Sequence, residues 1–163
     1  MGYPQKGEII MADEKVLIVD DDPAIRKLLT KVVEGNGFKS MTAASGQEAV
    51  ALAQNRKFDL ILLDIMMNGV DDGFDAIRSL RATGNDIPIV ILSGRTEDFD
   101  TLYGLDIGAD DYITKPFNPV VLGAKIKALI RRNKKAAYNA HNFITAGPFR
   151  YSNMTLEFFK NEQ

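Results

Sequence analysis

Four sets of reactive side chains follow short apolar runs in this chain. Asp20, Asp21 and Asp22 come after Val16–Val19, Asp64 after Leu60–Leu63, Ser93 after Ile89–Leu92, and Lys115 after Tyr112–Thr114. If those runs are strands of one open parallel sheet, all four sets fall on the same edge, because ligand sites in such sheets lie beyond the carboxyl ends of the strands. Several carboxylates gathered there repel one another unless a hard divalent cation sits between them, and few protein oxygens with room for water suits Mg²⁺ better than Ca²⁺. Asp64 can then act as a carboxylate nucleophile toward a phosphoryl group. The metal and the Lys115 ammonium can neutralise its equatorial oxygens, and the Ser93 hydroxyl can donate to one of them.

Each residue also has an ordinary reading. An acidic triplet before Pro23 is a helix-start signal, Ser93 alone is a capping or turn residue, and Lys115 before a proline is a solvated loop lysine. Asp64 is harder to dismiss, because a carboxylate closing the apolar run DLILL is costly unless it faces a polar site. The coincidence at four successive strand ends favours the chemistry.

The elements that must position these groups follow from the pattern. From Lys15 onward, β-branched runs alternate with amphipathic stretches, as in βα units around a parallel sheet. Strands are expected at 16–19, 38–43, 60–63, 89–92 and 112–114. Helices are expected at 23–35, from the Ser45 and Glu48 capping box to about 55, at 73–81, at 98 to about 107, and at 119–132. Pro23 suits the first turn of a helix capped by Asp22, and Gly35 ends it.

Composition narrows the function classes. With 20 Lys+Arg against 22 Asp+Glu, the net charge of −2 gives the whole chain no polycationic field for nucleic acid or anionic membrane. The absence of cysteine removes disulfides, thiolate zinc sites and cysteine nucleophiles. No apolar run approaches the ~20 residues of a membrane span, and residues 1–10 lack the apolar core of a secretory signal.

Four segments are expected: an N-terminal extension at 1–12, an α/β domain at 13–132, a linker at 133–142 where apolar periodicity stops, and the start of a second unit at 143–163. In the last, Phe149–Tyr151 and Leu156–Phe159 read as two strands around a Ser-Asn turn. His141 then falls in the linker, solvated and unable to act as a general base. Lys125, Lys127, Arg131, Arg132, Lys134 and Lys135 form a basic stretch that reads as a solvated face and linker.

The motifs VLIVDDDP, DLILLDIMM, PIVILSGR and GADDYITKPF resemble the receiver domain of two-component response regulators, from about Lys15 to Arg132. GADDYITKPF with KIKALIRR most resembles the OmpR/PhoB type. The resemblance implies a flavodoxin-like, doubly wound five-stranded parallel sheet of order 2-1-3-4-5 with helices on both faces. Matched by position, it makes Asp64 the phosphoacceptor and gives Mg²⁺ the ligands Asp20, Asp21, Asp64 and the backbone carbonyl of Met66. Ser93 and Tyr112 match the switch pair and Lys115 the family lysine, while Asp22 has no such role. The implied partners are a sensor histidine kinase and, once phosphorylated, a second copy docked through helix 4, strand 5 and helix 5. A cytoplasmic location is implied, with no membrane partner. GPFRYSNMTLEFFKNE, residues 147–162, resembles the first strands of a winged-helix DNA-binding domain. Promoter binding is therefore expected of a full-length parent that regulates transcription, and not of these residues alone.

Some positions depart from the family pattern. Asn68 stands where proline is usual, the segment from Asp64 to Gly73 is one residue longer because of Asp71 and Asp72, and Gly94 replaces a common alanine. At the dimer face Asp111 with Lys125 and Asp106 with Lys127 keep the expected signs, while Thr101 and Val121 replace a charged pair. Two other functions compete. An aspartyl-phosphate hydrolase of the haloacid dehalogenase type needs a second Asp two residues after the nucleophile, where this chain has Met66. A degenerate receiver acting only as a binding module would not keep Asp20, Asp21, Asp64, Ser93 and Lys115 together. A phosphorylation switch, with at most slow intrinsic autodephosphorylation, is the expectation rather than an enzyme.

Overall fold

The computed structural model describes residues 13–67, 72–94, 98–146, 149–152 and 158–160. Strands β1 (Lys15–Val19), β2 (Lys39–Ala43), β3 (Leu60–Leu63), β4 (Ile89–Ser93) and β5 (Asp111–Thr114) alternate with helices α1 (Pro23–Gly35), α2 (Gly46–Asn55), α3 (Asp72–Ala82), α4 (Asp98–Asp106) and α5 (Pro119–Asn142). The strands pair in parallel in the order β2-β1-β3-β4-β5. This is the expected doubly wound sheet.

Alternation along the strands builds a core on each face. Leu17, Val19, Ile61, Leu63, Ile89 and Ile91 point one way, onto Ala49 and Ala53 of α2 and Phe74, Ile77 and Leu80 of α3. Val16, Ile18, Leu60, Leu62, Val90 and Leu92 point the other way, onto Leu29 and Val33 of α1 and Leu122, Ile126 and Ile130 of α5. With both faces covered, the central strands are apolar throughout, which is why they read as continuous runs. Ile126 is wholly buried, so Ile126→Ala is expected to cost about 2–5 kcal/mol.

Local signals fix the helix starts. The Asp22 carboxylate accepts from the Ala24 amide at 2.9 Å, with Pro23 opening α1. Ser45 Oγ accepts from the Glu48 amide at 3.1 Å, while the Glu48 carboxylate accepts from the amide of Ala44, one residue before the cap. The box closes slightly wider than its usual form.

The C-terminal part corrects the sequence reading. The helix expected to stop at Arg132 continues to Asn142, so residues 133–142, read as linker, are helical and His141 lies within α5. Apolar periodicity reports a buried face rather than helicity, and residues 131–139 are all exposed. Extending a packed helix needs no new nucleus, Ala136 and Ala137 favour it, and Lys134 pairs with the buried Glu14 beside β1. Phe143, the next residue, opens an antiparallel sheet of β6 (Phe143–Ala146), β7 (Phe149–Ser152) and β8 (Phe158–Lys160). The strand β6 was not expected, since no turn signal separates it from the helix. Residues 1–12, and residues 153–157 with the expected Ser-Asn turn and the start of the Leu156–Phe159 strand, lie outside the described residues. No described helix is long and apolar enough to cross a membrane.

Candidate functional site

The carboxyl ends of β1, β3, β4 and β5 bring the sequence-predicted groups to one edge. Asp20 and Asp64 continue directly from β1 and β3, and the two strands are held in register there by the Asp64 amide donating to Val19 O at 2.9 Å. Both carboxylates are buried, at 1% and 8% exposure. Carboxylate oxygens of Asp20, Asp21 and Asp64 lie within 4.8 Å of one another.

Lys115 reaches into this group from the end of β5. Its Nζ lies 2.7 Å from Asp20 Oδ2 and 3.4 Å from Asp64 Oδ2. The Lys115 amide donates to Ser93 O at 2.7 Å, so the ends of β4 and β5 are tied together. Ser93 is itself buried. The Asp64 carboxylate also accepts from the Met66 amide at 3.1 Å.

The electrostatics follow from burial. Desolvation pushes the Asp64 carboxyl above its usual range, aided by the Asp20 charge and opposed by Lys115 and the Met66 amide. Burial works against the Lys115 ammonium too, but its hydrogen bond to Asp20 and the charges of Asp64 and Asp20 outweigh this, and its pKa is raised. Three carboxylates facing one ammonium leave two formal negative charges. An all-oxygen donor set with that excess fits a hard divalent cation such as Mg²⁺, which Asp20, Asp21 and Asp64 could hold.

Asp22 sits outside the cluster as the α1 cap, as its lack of a family role implies. Tyr112 is half-buried, packed on the core cluster that holds Ile91 and Phe74. Met67 is fully buried, whereas Met66 is 39% exposed. Asn68 and Asp71 of the lengthened loop lie outside the described residues. Gly94 has open space where a Cβ would stand. Lys125 pairs with Asp111 of its own chain at 3.2 Å.

Two supporting residues were not foreseen. A Cβ on Gly73 would stand 2.4 Å from both Asp64 O and Ile65 Cα, so α3 approaches the Asp64 backbone as only glycine allows. Arg26 Nη1 donates to the Asp20 carbonyl at 2.7 Å. In the sequence Gly73 is one glycine in a turn-rich stretch and Arg26 a polar residue of an amphipathic helix. Neither carries a local signal.

Comparison with known proteins agrees with this geometry. The family model for the response regulator receiver domain matches residues 16–127. The alkaline phosphatase synthesis transcriptional regulatory protein PhoP of Bacillus subtilis is 42% identical over 125 residues, covering 77% of this chain and 52% of that protein. The DNA-binding response regulator MtrA of Mycolicibacterium smegmatis is 41% identical, covering 74% of this chain and 52% of that protein. A probable transcriptional regulator of Guillardia theta is 39% identical, covering 91% and 58%. The chain thus spans little more than half the length of these relatives. The receiver domain of Francisella response regulator 1452 superposes with a TM-score of 0.70 at 34% identity, covering 74% of this chain and 98% of that structure. The chain belongs to the response regulator receiver domain family, in the company of OmpR/PhoB-type transcriptional regulators.

Proposed function

We propose that Asp64 is the phosphoacceptor of this receiver and that a sensor histidine kinase is its donor. An Asp64 carboxylate oxygen attacks phosphorus, the bond from phosphorus to the donor nitrogen breaks, and the electron pair leaves with the imidazole, giving an acyl phosphate on Asp64. Asp20, Asp21, Asp64 and the Met66 carbonyl are the residues we assign to Mg²⁺, which supplies charge neutralisation at the phosphoryl oxygens. Lys115 already spans Asp20 and Asp64, so it has only to exchange carboxylate for phosphoryl oxygen. The Ser93 hydroxyl and the Tyr112 ring are assigned the switch roles, coupling the modified Asp64 to the face of α4, β5 and α5. The observation that carries this reading is the meeting of Asp20, Asp21 and Asp64 within 4.8 Å with Lys115 among them.

A hydrolase reading lacks its proton-transfer group, since position 66 holds a methionine. A switch whose acyl phosphate is lost only slowly suits the site better. For the phosphorylated form we propose a dimer through α4, β5 and α5, where Leu102, Leu105 and Val121 are exposed. Because Asp111 and Lys125 already pair within the chain, exchanging that contact across an interface gains little, and apolar burial carries more of the association. Transcription regulation and promoter recognition belong, in this proposal, to a longer parent carrying a complete winged-helix domain, in the cytoplasm with its kinase.

Acetyl phosphate with Mg²⁺ tests the central step by intact mass. One phosphoryl group is expected on the wild type and none on Asp64→Asn; equal labelling of both would overturn the assignment.

A further inference from the structure

Asp20 is held at every polar atom. Its amide donates to Ala43 O at 3.2 Å, its Oδ1 accepts from the Asp22 amide at 2.9 Å, its Oδ2 accepts from Lys115 at 2.7 Å, and its carbonyl accepts from Arg26 Nη1 at 2.7 Å. The first three are the β1–β2 ladder, a turn and the site itself. The fourth comes from a side chain six residues along, on the second turn of α1, folded back over the start of its own helix.

The location of that guanidinium is informative. A cation near a helix N-terminus opposes the macrodipole, so a half-buried arginine there calls for a local partner. The group it holds is the carbonyl of the peptide joining Asp20 to Asp21. A peptide unit is planar, so fixing its oxygen fixes the rotation of the plane and with it the direction in which Asp21 departs from Asp20. The two residues carry two of the three carboxylates that meet within 4.8 Å.

We infer that Arg26 is a positioning residue for the acidic pair, clamping the Asp20–Asp21 peptide so that both carboxylates converge on one divalent cation. This rests on the metal-dependent phosphoacceptor reading above. Positioning and simple charge predict opposite signs. Removing a nearby positive charge alone would strengthen cation binding, whereas releasing the peptide plane weakens it.

Calorimetric titration with Mg²⁺ on the wild type, Arg26→Ala, Arg26→Lys and Asp21→Asn separates the cases. Arg26→Ala is expected to bind Mg²⁺ about tenfold more weakly, as is usual on losing a partner that orients a ligand. Arg26→Lys, which keeps a donor, is expected to recover part of that loss. In Mg²⁺-free protein the Asp22 amide, bonded to Asp20 Oδ1, is expected to exchange faster in Arg26→Ala while amides of β3 stay protected. Wild-type or tighter Mg²⁺ affinity in Arg26→Ala overturns the inference. Wild-type affinity in Asp21→Asn, with Arg26→Ala still exchanging faster at Asp22, instead overturns the metal reading and leaves the clamp standing.

Discussion

Replacing Gly73 by alanine puts a single methyl group against the backbone of Asp64, the proposed phosphoacceptor. The new Cβ would lie 2.4 Å from the Asp64 carbonyl oxygen and 2.4 Å from Ile65 Cα. Comfortable non-bonded contacts begin at about 3.5 Å, so roughly 1 Å must be found. No side chain can rotate away to supply it, because both obstacles are main chain. The Asp64 amide is bonded to Val19 O and the Gly73 amide to Ile65 O at 3.0 Å. Either α3 lifts, drawing the buried Phe74 and Ile77 off the sheet, or Asp64 shifts away from Lys115. Overpacking costs typically 1–3 kcal/mol, and with rigid obstacles the upper end, about 3 kcal/mol, is expected. For a domain of this size that lowers Tm by about 10 °C. Gly94→Ala, with open space around its Cβ, is the matched control and is expected to lie within about 0.5 kcal/mol of wild type. Urea and thermal unfolding supply the stabilities, and the rate of Asp64 labelling by acetyl phosphate reports the geometry. A Gly73→Ala protein as stable as Gly94→Ala and labelled at the wild-type rate would refute the close-approach argument.

Asp64 should also destabilise the fold it serves. Burial raises its pKa above the ordinary 3.8, so between these values the native state binds more protons than the unfolded chain and stability falls as pH rises. Above both values the loss is complete, and Asp64→Asn is expected to be more stable than wild type at pH 7 without Mg²⁺, the gap closing as pH drops below the window in urea titrations; a constant gap would refute this. Glu14 is buried and its Oε2 has no hydrogen-bond partner among the described residues, so Lys134→Ala is expected to cost about 1 kcal/mol and speed amide exchange over 133–139, whereas Arg132→Ala is expected to do neither. Val121 is half exposed on α5, and Val121→Glu is expected to weaken the dimer formed with a phosphoryl mimic more than high salt weakens the wild type; sedimentation showing salt sensitivity with indifference to Val121→Glu would contradict an apolar interface.

The sequence by itself determined the five βα units, most of their boundaries, and the edge at which Asp20, Asp64, Ser93 and Lys115 gather. Those features are encoded locally: period-two and helical spacing mark the elements, Asp22 with Pro23 and Ser45 with Glu48 mark helix starts, and chemistry in a parallel sheet falls after the strands. The C-terminal reach of α5 was not legible, because residues 133–139 are all exposed and leave no apolar pattern, and Glu14 lies far from Lys134 in the chain. Nor was the difference between Met66 and Met67, since both are equally apolar and only the turn after β3 decides which one is buried. Gly73 against Asp64 and Arg26 on the Asp20 carbonyl belong to the same class. Each is a contact with a main-chain atom, and the identity of the residue that owns that atom leaves no trace of it. Only folding, which sets those atoms at fixed distances, gives the glycine its necessity and the arginine its target.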